Sequence, residues 1–86
     1  MPNKRKLEDN LNKVFDCKDI HVHEVRDVDG AKLTQLLITN LDFSLRMQFV
    51  KKPEGVFCPI MVYPKISMAN FGKAIDYVEE YFDERG

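Results

Sequence analysis

From Leu41 to Phe49 the chain alternates apolar and polar residues without a break, reading Leu-Asp-Phe-Ser-Leu-Arg-Met-Gln-Phe. Side chains along an extended strand point to opposite faces in turn, so this alternation predicts a strand over about residues 41–50. Leu41, Phe43, Leu45, Met47 and Phe49 then share a buried face, while Asp42, Ser44, Arg46 and Gln48 meet water or a partner.

The flanking segments carry other periods. Leu7, Leu11, Val14 and Phe15 fall at i, i+4, i+7 and i+8, one stripe of an amphipathic helix over about 3–16. Asn3 is its expected N-cap, although Lys4, Arg5 and Lys6 crowd a first turn whose dipole disfavours cations. Ile20 to Val28 is rich in β-branched residues and predicts a strand over about 20–28, and Asp29-Gly30 suits the positive φ angles of a tight type I′ hairpin. The next strand, about 31–39, has Leu33, Leu36, Leu37 and Ile38 apolar on both parities, which requires cover on both faces or a bulge. Lys52-Pro53-Glu54-Gly55 fits a type I turn into a strand over about 56–63. Pro64, with no amide hydrogen to give, ends that strand. Ser67 caps a helix over about 67–83, in which Met68, Phe71, Ala74, Ile75, Val78, Tyr81 and Phe82 recur at three- and four-residue spacing. The expected fold class is α+β, a single domain over 1–86 in two layers: N-terminal helix, four-stranded antiparallel meander sheet, C-terminal helix.

Composition narrows the classes. Eighty-six residues with 44% hydrophobic and 31% charged content describe one globular core rather than a disordered chain. No apolar run approaches the length of a membrane helix, and the start, Met-Pro-Asn-Lys-Arg-Lys, has no apolar segment behind it. No membrane contact and a cytoplasmic location are therefore expected. Cys17 and Cys58 are too few for a disulfide framework and read as reduced thiols. The net charge of −1 lacks the basic excess of a protein that lives by neutralising phosphates.

Candidate chemistry is sparse. Cys17, His21, His23 and Cys58 offer metal-ligating types, but Cys-x3-His-x-His is no structural-zinc spacing, and two histidines flanking Val22 read as the solvent face of an edge strand. A thiol nucleophile needs a histidine beside it and a third group to orient the base, and Cys58 reads as a small core residue. There is no glycine-rich phosphate loop and no Gly-x-Ser-x-Gly or His-Glu-x-x-His motif. No catalytic residue, metal or cofactor is predicted, and the chain is expected not to be an enzyme. Asp76, Glu79, Glu80, Asp83 and Glu84 read as a solvated helix exterior, or functionally as a surface steering toward a basic partner.

The last strand holds the main functional candidate, because Val56, Cys58, Ile60 and Val62 occupy one parity and Phe57, Pro59, Met61 and Tyr63 the other. Either helices cover both faces, or Phe57, Met61 and Tyr63 form an exposed patch with Arg46 at its rim, suited to another protein or to a second copy of the chain in a homodimer. The alternative is single-stranded nucleic acid, with rings stacking on bases while Arg46, Lys51, Lys52 and Lys65 meet phosphates. The order of four strands and a helix over residues 20 to 82 resembles, as an arrangement only, small single-strand-binding sheet proteins such as the PUR-repeat family. That resemblance implies a curved sheet binding nucleic acid and a helix that helps form a dimer. The charge balance favours the first expectation: a small adaptor, inhibitor or accessory factor that binds protein through an apolar sheet face.

Overall fold

A computed structural model describes residues 4–63 and 67–85. The chain runs through helix α1 (Lys4–Phe15), strands β1 (His21–Arg26), β2 (Leu33–Thr39), β3 (Arg46–Lys52) and β4 (Gly55–Val62), and helix α2 (Met68–Arg85). Each strand pairs antiparallel with the next, in the order β1-β2-β3-β4. The fold is therefore α+β, with the predicted element order. Asn3, Pro64 and Lys65 lie outside the described residues.

Both helices bury their stripes against the same side of the sheet. Leu7, Leu11 and Phe15 of α1 join Ala74, Val78, Tyr81 and Phe82 of α2 in one cluster with Val22, Leu36, Ile38, Met47 and Phe49. The register explains why these strand residues lie together: Val22 pairs with Ile38, Ile38 with Met47, and Leu36 with Phe49, and cross-strand partners share a face. Met68, read as part of the α2 stripe, stays 86% exposed.

Helix α1 stops at Asp16, whose φ of +52° is left-handed, and the Cys17 N–H returns to the Asn12 carbonyl at 2.9 Å. The helix then satisfies donors at the start of β1. The Ile20 N–H donates to Asn12 Oδ1 at 3.0 Å, and the Val22 N–H donates to Glu8 Oε2 at 2.8 Å. At the other end of the chain Ser67 caps α2 as read, its Oγ accepting from the Asn70 N–H at 3.1 Å.

Two local readings need correction, and a third resolves between its alternatives. The first 41–50 strand residues do not extend, and β3 begins only at Arg46. Asn40 holds the segment as a loop: its N–H donates to the Leu45 carbonyl at 3.2 Å, its Oδ1 accepts from the Leu45 N–H at 2.9 Å, and its carbonyl accepts from the Phe43 N–H at 3.1 Å. Phe43 takes a left-handed φ of +59°, so Leu41 and Phe43 are 72% and 61% exposed, while Leu45, Met47 and Phe49 are buried as predicted. Second, Asp29-Gly30 does not form a tight I′ hairpin. The Gly30 N–H donates to the Asp27 carbonyl and only Gly30, at φ +71°, is left-handed in that turn, while Asp27 Oδ1 takes the Ala31 and Lys32 N–H groups. A carboxylate collecting backbone donors favours this longer loop over the two-residue turn. Third, of the two explanations for the two-parity run of β2 the bulge holds for Leu33, while Leu37 lies on the uncovered face and is 38% exposed. Val25 pairs with Gln35 but Arg26 with Leu33, leaving Thr34 as the extra residue, so Leu33 turns inward beside Leu36.

A polar cluster ties the end of α2 to β1. The Tyr81 hydroxyl donates to Glu24 Oε2, Arg85 lies 3.5 Å from the same oxygen, and Arg26 lies 3.2 Å from Oε1. Burial works against charge on Glu24, but the Tyr81 hydroxyl, Arg85 and Arg26 together outweigh it and hold the carboxyl below its ordinary value of 4.5. Burial, and then the Glu24 contact, push the Tyr81 hydroxyl far up.

A depressed carboxyl stabilises the fold fully above its unfolded value, and the contribution fades as pH falls through the lower folded value. Urea denaturation should therefore show wild type more stable than Glu24→Gln at neutral pH, with the gap closing as pH falls below the ordinary carboxyl value of 4.5. A gap that stays constant into strong acid would remove the charge from the account. Asn40→Ala strands the buried Leu45 N–H and should cost about 1–3 kcal/mol in the same assay.

Candidate functional site

The side of the sheet away from the helices carries the candidate site. With Met47 and Phe49 inward, Arg46, Gln48, Val50 and Lys52 of β3 point outward, and their partners follow: Thr39, Leu37 and Gln35 on β2, then Val62, Ile60 and Phe57 on β4. On β1 the same face receives His21, His23 and Val25. Among the described residues no helix covers it, and Leu37, Phe57, Ile60 and Val62 are 38%, 47%, 51% and 39% exposed.

A second bulge decides which residues of β4 reach this face. Gln48 pairs with Ile60 but Val50 with Phe57, so Cys58 and Pro59 together stand opposite Phe49. Phe57 and Ile60, of opposite parity in sequence, therefore share the open face. Met61, opposite Met47, falls on the helix side of the sheet yet stays 42% exposed, and Tyr63 packs against the core. The patch of Phe57, Met61 and Tyr63 is thus divided by the bulge: the structure brings Phe57 and Arg46 to one face and sends the other two residues through the sheet. Tyr63 packs edge-on against Phe15, ring centroids 5.6 Å apart, and its hydroxyl donates to the Phe15 carbonyl at 2.8 Å. Leu37, Val50, Ile60 and Val62 belong to the open face but escaped the sequence reading. Pro59 was the available signal, since proline inside a strand is confined to edges and bulges.

The polar groups of the face are ordered. Gln48 Nε2 donates to Gln35 Oε1 at 2.6 Å, and the Lys52 ammonium stands 5.5 Å from the centre of the Phe57 ring. Lys51 has the opposite parity and donates to the Lys52 carbonyl at 3.1 Å, so it is not brought to the face, and Lys65 is outside the described residues. A shallow hollow of about 350 Å³ opens between Val50, Lys52, Phe57, Cys58 and Pro59. None of the chain's 14 Asp and Glu residues stands on this face: they occupy the helices, the loops and turns, and, for Glu24, the helix side of β1.

The residues weighed for metal or thiol chemistry are scattered. His21 and His23 lie on the open face of β1, Cys17 follows α1, and Cys58 sits on the far edge strand. Among the described residues no three His, Cys, Asp or Glu side chains gather as ligands. Burial pushes the Cys58 thiol up, and burial with the nearby Asp19 does the same to Cys17, the direction opposite to that of a reactive thiolate. Among the described residues no helix is long and apolar enough to cross a membrane.

The chain matches no protein family, no curated protein and no solved structure. The reading of the open face rests on its own geometry.

Tyr63 and Phe57 should separate cleanly on substitution. Tyr63→Ala loses the contact with Phe15 and the hydrogen bond, and is expected to cost about 2–3 kcal/mol in urea denaturation. Phe57→Ala should cost less than about 1 kcal/mol, as suits a half-exposed position. The reverse ranking would assign Phe57 to the core and shrink the site.

Proposed function

We propose that the protein is a non-enzymatic interaction module that docks another protein on the open face of its sheet. The observation that carries this reading is the apolar set Val50, Phe57, Ile60 and Val62 on β3 and β4, with Leu37 beyond Gln48 on β2, all but Val50 more than a third exposed on a face that no described element covers. Exposed apolar area ringed by polar groups is the usual mark of a contact surface, since hiding it releases about 25 cal/mol per Å². The site's mechanism is surface complementarity, with these side chains as the desolvated area, Arg46 and Lys52 towards its two ends and the Gln35–Gln48 pair set among them. Its protonated, partly buried thiols support a role outside catalysis, and the two free cysteines suit the reducing cytoplasm.

A second reading, single-stranded nucleic-acid binding, has one observation in its favour: the face carries Arg46 and Lys52 and no carboxylate. Base stacking needs rings, however, and the face supplies only Phe57 on β4 and the imidazoles of His21 and His23 on the opposite edge strand. The aliphatic remainder suits protein side chains better.

The test is a comparison of the full chain with the double variant Leu37→Ser/Ile60→Ser, both tagged and recovered from the cells of origin. The variant should keep its urea midpoint within a stability change of about 1 kcal/mol, because both positions are exposed. It should lose proteins that the wild type retains, and nuclease treatment should not release them. Identical protein sets with both chains would reject the proposal, and loss of the set on nuclease treatment would favour the second reading.

A further inference from the structure

We infer that the occupant of the open face is an acidic amphipathic helix of the partner, with an apolar stripe set between carboxylates. This rests on the docking role proposed above and specifies the chemistry of what docks.

The edges of the sheet argue for a face-on occupant. Adding a strand to β1 meets α1, whose Glu8 and Asn12 side chains already take the Val22 and Ile20 N–H groups. Adding one to β4 meets Pro59, which has no N–H to give, and the bulge that breaks the spacing of the remaining donors. Both edges are thus protected against strand addition over part of their length, and the open side of the sheet is what stays accessible.

Its dimensions and charges then select the partner. Four strands span about 14 Å from first to last, and Arg46 to Lys52 along β3 covers about 20 Å. A helix about 10 Å across and about 13 residues long fills that rectangle. Arg46 and Lys52 stand near its two ends, and neither makes an ion pair among the described residues. With every carboxylate of the chain elsewhere, an occupant that takes these two cations out of water has to bring the neutralising charges itself. A second copy laid face to face would bring the same cations and no carboxylates, leaving all of them uncompensated. The α2 helix of a second copy has the right charges in Asp76, Glu80 and Asp83, but its apolar stripe is spent on its own core.

Nuclear magnetic resonance on the isotope-labelled full chain tests this with three synthetic probes: a peptide of about 14 residues with a leucine stripe and glutamate flanks, the same stripe flanked by lysine, and a mixed-sequence single-stranded DNA of similar length. The glutamate peptide should shift the amides of Leu37, Val50 and Ile60. Arg46→Glu/Lys52→Glu should weaken it by about tenfold or more and admit the lysine peptide instead. Equal binding of both peptides to the wild-type face would overturn the charge assignment while leaving protein docking intact. Shifts from the DNA alone would overturn both it and the protein-docking reading. No shift on the face from the glutamate peptide at millimolar concentration would likewise overturn the inference.

Discussion

Phe49 sets the register on which the rest of the molecule depends. It is fully buried, it pairs with Leu36 on one side, and on the other it faces the two-residue bulge of β4. Holding this ring beneath the helices fixes which side of β3 looks inward, and a slip of a single residue would exchange Met47 and Phe49 for Gln48 and Val50. The cost would be the transfer of an amide into the core and a ring into water, several kcal/mol in total. The outward orientation of Arg46 and Lys52 is thus a by-product of core packing, inherited by any surface function the sheet performs.

Much of the architecture was legible because its elements obey one period each. The α2 stripe repeats for four turns and folded where its spacing placed it, and the Ser67 cap sits where the sequence put it. The alternating run around Phe49 was read correctly only from Leu45 onward. Upstream, the side chain and backbone of Asn40 offered hydrogen bonds that a strand could not better, and they curled Leu41 to Ser44 into a loop despite a perfect alternation. Periodicity reports what a segment would bury if extended, and a local polar competitor settles whether it extends.

The site was harder to read because a bulge acts through geometry rather than composition. In β2 the mixed parity of Leu33 and Leu36 admitted a bulge as an explanation, and Thr34 provides it, while Leu37 faces outward. In β4 the same mixture was assigned to two opposed faces in strict alternation, which coupled Phe57 to Met61 and Tyr63. One extra residue at Cys58-Pro59 re-aims everything beyond it, so Ile60 and Val62 replace those two beside Phe57. The proline that announces the bulge also shields the edge, so one residue both shapes the apolar face and keeps strands from adding beside it.

The loop that Asn40 closes has a kinetic corollary. Phe43 projects from the surface next to a scissile bond attractive to proteases that cut after aromatic residues, yet its backbone is wound in a left-handed turn and pinned at Asn40 and Leu45. Proteases require an extended segment in their clefts, so cleavage there waits for the clasp to open. The rate of nicking after Phe43 would then clock that local opening, separately from the melting of the sheet beneath it.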